Sequence, residues 1–148
     1  MSQDTAAIAR PAGISHVRLT VTDIARSKAF YTQALGSEPA ADFSDQINNT
    51  NVRNDPDRLF GGCVFALGAQ AFGLRPAAPS GDSFISTRVG LDHISLQLNS
   101  IADLREAAHR LTEAGIQHGD VKELSGYGLA ILSFQDPDDI NLEFSAPL

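Results

Sequence analysis

Tryptophan is absent from this chain, cysteine occurs once, and basic residues are outnumbered by acidic ones. Each shortage excludes something. Cys63 has no second cysteine to pair with, so no internal disulfide forms, which fits a reducing, cytoplasmic setting. It sits in the apolar run 63–67 and reads as a small buried hydrophobe, not a reactive thiol. The formal charge is −7, and no basic run offsets it. Such a surface repels phosphate backbones and anionic lipid, so neither nucleic acid nor a membrane is an expected partner. No apolar run is long enough to span a bilayer. Met1 to Gly13 lacks a basic segment followed by an apolar stretch, so no signal peptide is expected. What remains is an ordinary globular mix over 148 residues, with 43% apolar and 20% charged residues.

The chain contains an internal repeat. Residues 14–21, Ile-Ser-His-Val-Arg-Leu-Thr-Val, align with 91–98, Leu-Asp-His-Ile-Ser-Leu-Gln-Leu. Both alternate with a period of two, as strands do, and both place a His at the start. A cap follows each: Thr22 or Asp23 in the first copy, Asn99 or Ser100 in the second. The helices predicted from Ile24 to Leu35 and from Ile101 to Ala114 then stop at Gly36 and Gly115. Strand-like material follows at 59–67 and 71–75 in the first half. In the second it lies at 117–124, 129–134 and 140–144. Residues 40–57 are polar and aperiodic and read as a weak strand plus a long loop. Residues 76–88 read as the linker between halves. The fold class is therefore α+β: two tandem βαβββ modules, about 12–78 and 89–148, forming a cup-shaped mixed sheet with helices outside. The two modules make a single domain over 1–148.

Strand alternation divides each strand into an apolar and a polar face. Val17, Leu19 and Val21 face the helix, and His16, Arg18 and Thr20 face away. In the second half His93, Ser95 and Gln97 face away, as do Asn141, Glu143 and Ser145 in the last strand. Each polar face thus carries one good metal ligand. Two imidazoles and a carboxylate suit Fe, Mn, Zn, Ni or Co and leave positions open for water or substrate. An antiparallel sheet with one wet face would alternate in the same way.

Several segments carry a family resemblance: His16 to Asp23, Ser27, Phe30-Tyr31, Leu35-Gly36, Leu91 to Ile94, Phe134 to Asp138, and Leu142 to Phe144. Together they resemble the vicinal oxygen chelate superfamily, which includes glyoxalase I, extradiol dioxygenases, fosfomycin-resistance proteins and bleomycin-resistance proteins. The resemblance spans roughly Ile14 to Pro147. It implies metal ligands at His16, His93 and Glu143, with the fourth ligand position on Gly73, or on Arg75 if the register slips by two. Neither of those residues ligates readily, so the resemblance implies a three-ligand site. Extradiol dioxygenases carry a Tyr where Ser133 stands and an acid–base His that 124–128 lacks. Fosfomycin-resistance proteins carry a Thr where Arg18 stands and a Tyr at Ser133. Glyoxalase I chemistry would use Glu143 as base, but its partner carboxylate is missing at Gly73.

The remaining polar residues have competing readings. Arg18 binds a substrate carboxylate or phosphate, or pairs with a structural acid. Gln97 shares the polar face, and Tyr127 either overhangs the cup or belongs to a simple turn. His109 reads as solvent-facing, and His118, on a short strand after the second helix, either reaches the cup or lies at the surface. Asp136, Asp138 and Asp139 lack calcium-loop spacing and read as a turn; related sequences have Gly at 139, which predicts a different turn form here. The expected function is a metal-dependent, glyoxalase-like lyase or isomerase acting on a small oxygenated substrate. Glu143 is the catalytic residue, Arg18, Gln97 and Tyr127 contact substrate, and the protein is expected as a homodimer. The alternatives are a metal-free, drug-sequestering protein of the bleomycin-resistance type and an extradiol-type dioxygenase.

Overall fold

The computed structural model describes residues 6–148, and the chain divides into two compact units at Ala77/Ala78. In the first unit the order is β1 (His16–Thr20), α1 (Ile24–Leu35), β2 (Ala41–Asp42), α2 (Thr50–Arg53), β3 (Cys63–Leu67) and β4 (Gln70–Arg75). The second has β5 (Ile94–Gln97), α3 (Ile101–Glu113), β6 (Lys122–Leu124), β7 (Leu129–Gln135) and β8 (Asn141–Pro147). Each unit carries its own four-stranded mixed sheet, ordered β1-β4-β3-β2 and β5-β8-β7-β6. The fold is α+β, and the repeat read from the sequence is a repeat of topology: the His-led strand runs parallel to the last strand of its own unit.

Local chemistry explains the helices. The side chain of Asp23 accepts from the Arg26 amide at 3.1 Å, and Ser100 accepts from the Asp103 amide at 3.1 Å. At the other ends Gly36 and Gly115 hold φ of 69° and 71°, a turn that costs a residue with a Cβ. In α1 Ile24, Ser27 and Tyr31 are buried, and in α3 Leu104 and Leu111 are buried, so each helix lays one stripe on its sheet. Tyr31 meets Phe72 at 5.0 Å in the first core, and Phe134 meets Phe144 at 4.6 Å in the second. A large side chain so buried contributes about 1.5–3 kcal/mol.

Two segments differ from the sequence reading. Residues 40–57 form more than a loop, with a 3-10 turn over Ser44–Gln46 and the short α2. Lys28 holds this segment to α1, donating to Asp42 Oδ2 at 2.9 Å and to Ser44 Oγ at 2.8 Å. The strand expected from Leu59 begins only at Cys63, because Leu59 and Phe60 adopt φ of 52° and 56°, inside a kinked turn. Behind that turn Gly62 lies against the neighbouring strand. A Cβ there would stand 1.9 Å from the Leu74 carbonyl oxygen.

Asp139 is a further correction. Its φ is 64°, so the turn keeps the left-handed form that glycine favours. Asp tolerates this conformation better than most residues. The turn is fixed instead by the buried Asp136, whose carboxylate accepts from the amides of Asp138 and Ile140 at 2.8 and 2.9 Å.

Candidate functional site

The polar faces fall where alternation placed them. In β8, Leu142 and Phe144 are buried while Asn141, Glu143 and Ser145 are half-buried on the opposite face. Glu143 pairs in register with Ser95 of β5 on one side and Ser133 of β7 on the other. His93 precedes β5, and its Nε2 faces Glu143 Oε2 at 3.9 Å. The other imidazole nitrogen, Nδ1, meets Asp92 Oδ1 at 2.5 Å. A carboxylate only accepts, so Nδ1 donates to Asp92, and Nε2 is the nitrogen turned toward Glu143. Metal-ligating histidines are oriented in this way by a carboxylate on the far nitrogen.

An open cleft of about 940 Å³ contains this pair. Its floor is β7 and β8, with Ser133, Gln135 and Asn141, and its wall is Thr112 and the segment from Gly115 to Gly119. Gln135 donates to the Asn141 side chain at 2.8 Å, which fixes both amides. His118, for which the sequence allowed either the cup or the surface, also lines the cleft. Its nitrogens are already engaged, with Thr112 Oγ1 and the Gly119 carbonyl each at 2.7 Å. The sequence signal for His118 was the strand expected over 117–124; only its end forms a strand, β6, and His118 itself makes a single bridge with Phe134. Gln97 and Tyr127 do not line this cleft. Gln97 pairs with Ser145 two rungs past Glu143, and Tyr127 stands 82% exposed on a 3-10 turn.

In the first unit the corresponding rung is settled by strand register. Gly73 pairs with Arg18 and Val64, as Glu143 pairs with Ser95 and Ser133, so the counterpart of Glu143 is Gly73 and not Arg75. The Arg18 side chain occupies the space above it: a Cβ on Gly73 would meet Arg18 Cγ at 3.4 Å and Nε at 3.5 Å. His16 is exposed at the edge of this face, with Ser15 Oγ 3.1 Å from its Nδ1.

The donor chemistry can be tested against a metal. Bonds of about 2.0–2.2 Å to nitrogen and oxygen place two ligands of one ion no more than about 4.2 Å apart. His93 Nε2 and Glu143 Oε2 satisfy that limit with a wide angle at the ion. The structure brings these two of the three expected ligands together within one unit. His16 belongs to the other unit, and among the described residues no group of three His, Cys, Asp or Glu side chains is set to hold an ion.

Comparison with known proteins gives the family. The family model described as Glyoxalase/Bleomycin resistance protein/Dioxygenase superfamily matches residues 13–144. The chain belongs to that superfamily. Among solved structures, a glyoxylase/bleomycin resistance protein/dioxygenase domain from Frankia sp. EAN1pec is similar at 29% identity and a TM-score of 0.72, covering 94% of each chain. A genomically encoded fosfomycin resistance protein from Listeria monocytogenes shares the fold at 18% identity and TM-score 0.66, over 94% of this chain and 96% of that one. Lactoylglutathione lyase from Agrobacterium tumefaciens does so at 16% identity and TM-score 0.64, over 93% and 96%. No curated protein sequence matches significantly. Among the described residues no helix is long and apolar enough to cross a membrane.

Proposed function

We propose that the protein is a metal-dependent enzyme of the glyoxalase-like kind, a lyase or isomerase acting on a small oxygenated molecule in the second unit's cleft. The observation that carries this reading is the Asp92–His93–Glu143 arrangement: an imidazole oriented by one carboxylate through Nδ1, with its Nε2 3.9 Å from another. His93 and Glu143 would hold the ion, with His16 as the third ligand. The candidates are Fe, Mn, Zn, Ni or Co. When bound, such an ion polarises substrate oxygens and stabilises the charge they develop. The chain's own residues do the rest. Asp92 keeps His93 in the ligating tautomer. Glu143, its side chain only 14% exposed, takes a proton from the carbon beside a substrate carbonyl. Ser133, Gln135 and Asn141 supply hydrogen bonds that orient the substrate in the cleft. Of the lining residues Phe134 alone is a Phe, Tyr or Trp, which argues against sequestration of a flat aromatic drug by stacking.

Metal content of the full chain tests this. Stoichiometric metal in the wild type should fall to near zero in His93→Ala and Glu143→Ala, and His16→Ala should fall with them. Asp92→Asn should weaken affinity by about 10–100-fold, the usual cost of removing an orienting carboxylate. Wild-type protein that stays empty in excess Zn²⁺, Mn²⁺, Ni²⁺ and anaerobic Fe²⁺ overturns the reading. The same reading keeps the expected homodimer, which light scattering tests as a species of twice 15.7 kDa.

A further inference from the structure

The first unit contains a second feature that the metal reading does not use. A cavity of about 250 Å³ is lined by Thr50, Arg53, Asn54, Phe60, Arg75 and the chain at 76–77. Its lining holds two arginines, an asparagine and a threonine, and no acid. Among the described residues neither Arg53 nor Arg75 has a carboxylate within ion-pair distance.

Arg75 is also held in place. Its guanidinium carbon lies 3.8 Å from the centre of the Phe60 ring, and its Nε is buried without a hydrogen-bond partner. Arg18 approaches the same ring, with its guanidinium carbon 5.8 Å from the centre. Two cations therefore converge on one phenyl group. Leu59 and Phe60, which carry the ring to this position, both adopt left-handed backbone, which disfavours side chains with a Cβ. Strained backbone of this kind persists where the surroundings hold it, and it clusters at ligand-binding segments.

We infer that this cavity is an oxyanion-binding site, in which Arg53 and Arg75 take a carboxylate or phosphate group with Asn54 and Thr50 completing its hydrogen bonds. The chemistry is that of paired arginines, whose forked donors match planar or tetrahedral oxyanions. The site lies wholly in the first unit and does not depend on a metal at His93 and Glu143.

The test is titration of the full-length protein with inorganic phosphate and, separately, with acetate, at low and constant ionic strength, followed by heteronuclear NMR. Saturable shifts at Arg53, Asn54 and Arg75 are expected with at least one probe, and which probe binds says whether the group is tetrahedral or planar. Arg53→Met and Arg75→Met should each weaken binding at least fivefold, while His93→Ala leaves it unchanged. If Arg75→Met fails to fold, Arg53→Met decides, since Arg53 is exposed on its short helix. No saturable binding to the wild type, or binding that survives Arg53→Met, overturns the inference.

Discussion

At the rung where the second unit carries Glu143, the first carries Gly73, and the neighbours on that rung differ as well. Ser95 and Ser133 flank Glu143, whereas Arg18 and Val64 flank Gly73. One topology therefore supports two different charge patterns. The second unit's face offers a carboxylate beside an imidazole. The first unit's equivalent acid is gone, and an arginine lies across the vacated space. One strand position carries an acid in one unit and, in the other, a glycine covered by an arginine. The buried faces show a parallel contrast: Cys63 pairs with Leu74 where Leu132 pairs with Phe144, so the thiol occupies the place of a core leucine.

That last comparison gives the largest expected effect. Burial pushes the Cys63 thiol up to about 12. At pH 8 its reaction with an aromatic disulfide should run on the order of 1000-fold slower than a free thiol's, given an ordinary value near 8.5. It should become ordinary only in denaturant. Fast labelling of the native protein would break the equivalence with Leu132. Next comes Gly62→Ala, whose Cβ would meet the Leu74 carbonyl oxygen at 1.9 Å. Overpacking against backbone should cost about 3 kcal/mol or more, read by urea denaturation.

A third variant makes the first unit imitate the second. In Gly73→Glu alone the new carboxylate should pair with Arg18. Combined with Arg18→Ser it should instead face His16, as Glu143 faces His93. The double variant should gain Zn²⁺ affinity over the single one by at least about tenfold, or about 1.4 kcal/mol. Equal affinity in both would show that the rung alone does not set the difference between units.

The smallest effect belongs to Lys28–Asp42. Burial pushes the Asp42 carboxyl up, but hydrogen bonds from Ser44 and Lys28 outweigh it and hold the group below its ordinary 3.8. The hydrogen bond to Asp42 raises Lys28 above its ordinary 10.5. A lowered acid stabilises the fold above its unfolded value and loses that contribution as pH falls through the folded one. A raised lysine stabilises below its unfolded value and loses that contribution as pH rises through the folded one. Lys28→Met should therefore cost a roughly constant amount near neutrality, narrowing below about pH 3.8 and above about pH 10.5. Both side chains are about one-third exposed, so solvent screening keeps the cost below about 1 kcal/mol. Denaturation at pH 3, 7 and 11 checks this.

The sequence by itself determined much of this protein. Alternation, caps and glycine stops are local, and they placed His16, His93 and Glu143 on polar faces and α1 at its observed bounds. Pairing between strands distant in sequence is not local. Only the tertiary structure decided that Gly73, not Arg75, is the counterpart of Glu143, that His118 shares the cleft of His93, and that Tyr127 does not line it. The Arg75–Phe60 contact was equally illegible, because it depends on two left-handed residues that sequence read as strand. A period of two tells which way a side chain points, but its neighbours are set by register and by how the chain returns to the sheet.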